Sequence, residues 1–193
     1  MNKLKKTMAS LMAFVLALSV LTPGMFARAA DGLQTSGTLD LTGNPDAAAG
    51  DGWSWEGGEE KTLTLSGADI RSQDGDGNTY GVKLPDGATI VLTAGTTNVI
   101  RAGETEGGSS SFSHGIYSGG TLDIEGEGAR YTVGGEADFS TGMIAGELTV
   151  KGGTMTAIGG ASSNSFGLSV EVVTIDGGTV TAMGGKSSNA SYG

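Results

Sequence analysis

The chain has 193 residues, 36 glycines, no cysteine and a formal net charge of −10. The lack of cysteine excludes a disulfide scaffold, and the scarcity of Lys and Arg disfavours nucleic acid, whose phosphates need clustered basic residues. Glycine is abundant, but it follows no three-residue period and only three prolines accompany it, which excludes collagen.

In chain order, Lys3, Lys5 and Lys6 precede an apolar run at 11–21 (LMAFVLALSVL), then Pro23-Gly24 and Ala27-Arg28-Ala29. This is the layout of a secretory signal peptide, too short for an ordinary spanning helix. Cleavage after Ala29 or Ala30 is expected. Residues 1–30 are read as the signal and 31–193 as one mature domain of net charge near −14, because the leader carries four of the eleven basic residues and no acid. The mature protein is expected to be secreted or held at the cell surface, with no transmembrane segment.

Leu39 and Leu41 alternate with polar residues as in a first strand. Trp53 and Trp55 alternate too. They read either as a lid over the open end of a core or as an aromatic platform for sugar. KTLTLS at 61–66 points Leu63 and Leu65 inward. The following units open at Gly81, Gly115, Gly142 and Gly167. Their inward candidates are Val82, Leu84, Ile90, Leu92 and Val99 or Ile100; Ile116, Leu122, Ile124, Tyr131 and Val133; Ile144, Leu148, Val150, Met155 and Ile158; Leu168, Val170, Val173, Ile175, Val180 and Met183. Pro85-Asp86-Gly87 is a predicted corner, and Gly152-Gly153 and Gly177-Gly178 are predicted matching corners. Ser162-Ser163-Asn164 and Ser187-Ser188-Asn189 are predicted turns.

The strongest pattern is a repeat. LTVKGGTMTAIGG (148–160) and VTIDGGTVTAMGG (173–185) agree at eight of thirteen positions. A 25-residue unit cannot bury its own apolar face, so it must stack on its neighbours. The predicted fold is all-β: a right-handed parallel β-helix, or β-solenoid, of about five coils. Thr154 and Thr156 are expected to lie over Thr179 and Thr181. Gly193 stands where a sixth coil would open. The readings are a C-terminally truncated chain, an end that associates with another subunit, or a Tyr192 that folds over the last coil.

Little here points to catalysis. His114 occupies the place before a coil-opening glycine that Tyr80, Phe166 and Tyr192 hold elsewhere, which reads as structural. No residue set marks a nucleophile or a zinc site. Asp74, Asp76 and Asn78 place oxygen donors at alternate positions of a glycine-rich loop, a pattern suited to Ca2+ or to a plain turn. Pro85 stands where an EF-hand needs its glutamate. Asp86, Glu104 and Glu106 are possible additions to that shell. Tyr117 and Tyr131 join Trp53 and Trp55 as candidate sugar-stacking residues. Lys83, Arg101 and Lys151 are candidate proton acceptors for a lyase.

Three runs, GWSWEGGEEKTLTLSG (52–67), GVKLPDGATIVL (81–92) and LTVKGGTMTAIGG (148–160), resemble secreted bacterial, glycine-rich parallel β-helix proteins described as containing a carbohydrate-binding domain. More distantly, the pattern is similar to a clostridial family of calcium-containing β-helix modules that bind cellulose or acidic polysaccharides. The resemblance implies a non-enzymatic glycan-binding or adhesion module whose partner is a polysaccharide or surface glycan. An acidic-polysaccharide lyase and a structural envelope component are the alternatives.

Overall fold

The computed structural model describes residues 38–75, 77–105 and 111–193; the expected signal peptide, Asp76 and Glu106 lie outside them. Among the described residues every regular element is a strand, and no helix is long and apolar enough to cross a membrane.

The strands wind as a β-solenoid of about five coils with three faces. The first coil holds β1 (Leu39–Asp40), β2 (Ala47–Gly50), β3 (Trp53–Glu56), β4 (Thr62–Leu65) and β5 (Asp69–Arg71). The second holds β6 (Thr79–Leu84), β7 (Ala88–Leu92) and β8 (Thr97–Arg101); the third, β9 (Phe112–Ser118), β10 (Thr121–Gly126) and β11 (Ala129–Val133). In the fourth, β12 (Ala137–Val150) runs through two faces before β13 (Thr154–Ile158). The fifth repeats this with β14 (Ser162–Ile175) and β15 (Thr179–Met183), and β16 (Ser187–Tyr192) follows. Face one stacks β1, β6, β9, the first part of β12, the first part of β14 and β16. Face two stacks β4, β7, β10 and the later parts of β12 and β14. Face three stacks β5, β8, β11, β13 and β15.

All coil-to-coil pairings are parallel, so like positions form columns. Leu63, Ile90, Ile124, Val150 and Ile175 make one column on face two. Leu39, Val82, Ile116, Met143 and Leu168 make another on face one. From Leu39 to Val150 these residues are buried; each such side chain contributes about 1.5–3 kcal/mol of transfer free energy. Val173 and Ile175 keep the inward register but are 44% and 53% exposed, because among the described residues no further coil lies over them.

The first coil departs from the repeat. β2, β3 and β4 pair antiparallel and form a cap. Trp53 and Trp55 are 5% and 1% exposed within it, and the Trp55 Nε1–H donates to the Pro45 carbonyl at 3.0 Å.

Several inward assignments are corrected. On β11, Arg130 and Thr132 point inward, while Tyr131 faces out at 42% exposure and Val133 is only partly covered. The apolar residues suggested the opposite phase. Hydrogen bonding to both neighbours sets it instead, aligning Arg130 with Asn98 and Met155, and Tyr131 with Val99 and Thr156. Met143, Ala145 and Ala157 fill the places expected of Ile144 and Ile158. The cause is Gly142. It and Met143 both face inward, which resets the alternation along β12. A Cβ on Gly142 would meet the Ile158 amide nitrogen and lie 2.7 Å from the Gly167 carbonyl oxygen, so only glycine fits where β12 passes face three. Ser162-Ser163-Asn164 and Ser187-Ser188-Asn189 lie in β14 and β16, so the turns predicted there are strand; their repeated N–H and C=O groups continue the ladder, with a bulge between Ser162 and Asn164. The predicted corners at Gly153 and Gly178 have φ of 74° and 77°.

A column of buried hydroxyls fastens the corner between faces three and one. The Thr79 hydroxyl donates to the Gly103 carbonyl at 2.6 Å, and the Ser113 hydroxyl reaches the same oxygen at 2.9 Å. Ser140 accepts from the Gly160 N–H at 2.7 Å. Ser165 donates to the Gly160 carbonyl at 2.9 Å and accepts from the Gly185 N–H at 2.6 Å. These bonds satisfy backbone groups where the chain leaves one sheet and has not yet joined the next.

Candidate functional site

The outward side of face one carries an aromatic row. Tyr80, His114, Thr141, Phe166 and Tyr192 share one column. Phe112 and Phe139 share a second, and Tyr117 aligns with Lys83 in a third. Parallel stacking places successive coils one strand spacing apart, which brings aromatic residues of equal register into contact. The Phe112 and Phe139 rings stack at 5.3 Å, and those of Phe166 and Tyr192 at 5.5 Å. Tyr80 meets Tyr117 edge-on at 5.6 Å and His114 at 5.5 Å. Lys83 lies over the Tyr80 ring at 5.3 Å and is held by Asp40 at 3.0 Å. Phe139 and Tyr192 are 36% and 59% exposed. Tyr192 therefore lies on the outer row; it does not fold over the end of the core.

Beside this row runs a polar groove of about 550 Å³, lined by Thr105, Ser111, Glu136, Asp138, Ser163 and Lys186 among others. Ser111 and Asp138 immediately precede Phe112 and Phe139, so the groove and the rings share one edge of face one. The corner residues stack through backbone bonds: Thr105 N–H to Glu136, Ala137 N–H to Ala161 and Ser162 N–H to Lys186.

His114 sits within the row, 6% exposed, between Tyr80 and Phe112. Burial pushes its imidazole down to about 4. It is neutral at pH 7 and acts there as another ring. The unfolded chain binds a proton below its ordinary value of 6.5 while the folded chain does not. The stability associated with the neutral ring is therefore complete above about pH 6.5 and is lost as pH falls towards 4. Between pH 7 and pH 5 the wild type is expected to lose about 2 kcal/mol more than His114→Phe, read from urea unfolding. Equal losses in the two proteins would show that the ring is not held neutral.

The other sequence candidates fall in separate places. Of the proposed aromatics, Tyr117 lies in the row and Tyr131 on face three. Trp53 and Trp55 are inside the cap and offer no ring face to solvent. The Asp74 carboxylate accepts the Glu104 N–H at 2.8 Å, and the Asn78 amide oxygen accepts the Phe112 N–H at 3.2 Å. Both oxygens thus tie coil to coil. Among the described residues no three Asp, Glu or His side chains gather at metal-binding distance; Asp76 lies outside those residues. Lys151 contacts Asp123 at 2.7 Å and Glu125 at 2.9 Å. Those carboxylates raise its pKa, the wrong direction for a proton acceptor at neutral pH.

Phe112 and Phe139 were missed as site residues. Their signal was present: each stands two residues before a member of the Tyr80–His114–Thr141 column, hence on the same outward side of an extended strand. No protein family, curated protein or solved structure matches this chain.

Proposed function

We propose that the protein is an exported, non-enzymatic glycan-binding or adhesion module that acts at the cell surface or after secretion. The observation that carries this reading is the aromatic row of face one with a polar groove along its edge. Flat rings stack on the apolar faces of sugars, and flanking hydroxyl, carboxylate and ammonium groups hydrogen-bond to their hydroxyls. The net charge near −14 of the expected mature chain favours a neutral glycan over an acidic one, unless Ca2+ bridges the two. Calcium at the Asp74–Asn78 loop belongs to this proposal as an auxiliary ligand, tested by chelation.

The test is isothermal titration of a panel of neutral and acidic polysaccharides, with calcium and with chelator. The wild type is expected to retain at least one glycan, and Tyr117→Ala with Phe139→Ala is expected to weaken it about tenfold or more. Tyr131→Ala, on another face, leaves affinity unchanged. Retention of no glycan, or equal binding by the double variant, defeats the reading.

A further inference from the structure

Arg130 is the largest polar side chain in the interior, and it is 0% exposed. It points into the lumen of the third coil, aligned with Asn98 on one side and Met155 on the other. No described protein group accepts a hydrogen bond from its Nε, Nη1 or Nη2. Asn98 is already committed: its Oδ1 accepts from the Gly67 and Ala68 N–H groups at 2.8 and 3.0 Å, and its Nδ2 donates to the Ala129 carbonyl at 3.0 Å. The ion pairs among the described residues join Arg71, Lys83 and Lys151 to carboxylates and leave Arg130 aside. Two residues on, Thr132 also faces inward, is 0% exposed and has an Oγ1 without a partner. Otherwise the cluster around the lumen is mainly aliphatic.

Burial lowers the Arg130 pKa to about 9, which still leaves it protonated at neutral pH. An uncompensated cation in an apolar interior is strongly destabilising. An apolar isostere would cost nothing comparable, and Met155 in the next coil shows that such a side chain fits the column.

We infer that the third coil encloses a small-anion site, in which a monatomic anion of about chloride size accepts from the Arg130 guanidinium and the Thr132 hydroxyl. The planar guanidinium presents several donors on one edge, which suits an anion in its plane. Asn98 and Met155 flank Arg130 in the two adjacent coils, one strand spacing away on either side, which favours the smallest class of anion, a monatomic one. The ion is captured as the coils close and acts as a structural counter-charge. This inference is independent of glycan binding.

The experiment is thermal unfolding of the full chain at fixed ionic strength while sodium chloride replaces sodium gluconate. The wild-type midpoint is expected to rise by roughly 3–5 °C per tenfold chloride once the site begins to fill. Arg130→Met is expected to show no such rise and to exceed the wild type in gluconate. A wild-type midpoint indifferent to chloride, or a variant that keeps the dependence, overturns the site. Anomalous diffraction from wild-type crystals soaked in bromide needs no variant. A peak beside the guanidinium supports the inference, and peaks confined to the surface contradict it. Protection of Tyr131 from chemical iodination also overturns it, because that result places β11 one residue out of register with Arg130 facing solvent.

Discussion

Gly142→Ala is expected to destabilise the protein by about 3 kcal/mol or more, whereas Gly43→Ala leaves the unfolding midpoint nearly unchanged. Neither glycine has positive φ, so chain conformation is not the difference. Space is. A methyl group on Gly43 meets nothing within 4 Å, while one on Gly142 runs into the backbone of β13 and the Gly167 carbonyl of the next coil. Backbone cannot rotate out of the way as a side chain can, so faces one and three must separate. That separation loosens Met143, Met155 and Ala157, all 0% exposed. Overpacking of this kind costs about 1–3 kcal/mol when side chains yield and more when they cannot. Gly81, Gly115 and Gly167 occupy the same place in their coils, each with a neighbouring-coil carbonyl or face-three atoms within 3 Å of a built Cβ. Urea unfolding of the two variants decides the matter, and equal midpoints contradict the stacked-corner account.

Trp55→Ala is expected to cost about 3–5 kcal/mol, the range for deleting a fully buried aromatic side chain. The residue is 1% exposed. It sits opposite Ala48 and Leu63, and its indole N–H holds the Pro45 carbonyl. Its removal opens the first coil above Leu63 and Leu65 and leaves that carbonyl unpaired. Trp55→Phe keeps most of the area and loses the hydrogen bond, so a cost nearer 1–2 kcal/mol is expected. The capping role also predicts that Trp55→Ala binds glycan normally at temperatures where it remains folded. A variant with the wild-type midpoint and no glycan binding would assign the ring to the ligand.

The inward residues of face two were legible because Leu63, Leu65, Ile90, Leu92, Leu122 and Ile124 recur at every second position, with polar residues between them except at Val91. Period two in a buried strand leaves only one phase open. Face one was less legible. Its strands place two consecutive residues inward at each coil-opening glycine, and a fixed alternation cannot anticipate that step. This is why Ile144 was expected in the core in place of Met143. Face three failed at β11, where hydrophobicity favoured Tyr131 and Val133 while the register of the adjacent coils turned Arg130 and Thr132 inward. The hydroxyl column was hidden for another reason. Serine and threonine at a corner read as turn residues, and only the stacked geometry shows that Ser113, Ser140 and Ser165 bind backbone inside the coil. The candidate site was half visible: Tyr80, His114, Phe166 and Tyr192 were recognised as equivalent, but as corners, and Tyr117 was chosen without its neighbours.

The stacking itself is tested most directly by NMR couplings transmitted through hydrogen bonds. Thr154 N–H donates to Gly128, Thr179 to Gly153, Gly134 to Ile158 and Gly159 to Met183, at 2.9–3.0 Å. The expected spectrum pairs residues whose numbers differ by about one coil, again and again along the chain. Correlations between residues whose numbers keep a constant sum, the signature of hairpins, are expected only within the β2–β4 cap; found from β6 onward, they would contradict a solenoid and every column built on it.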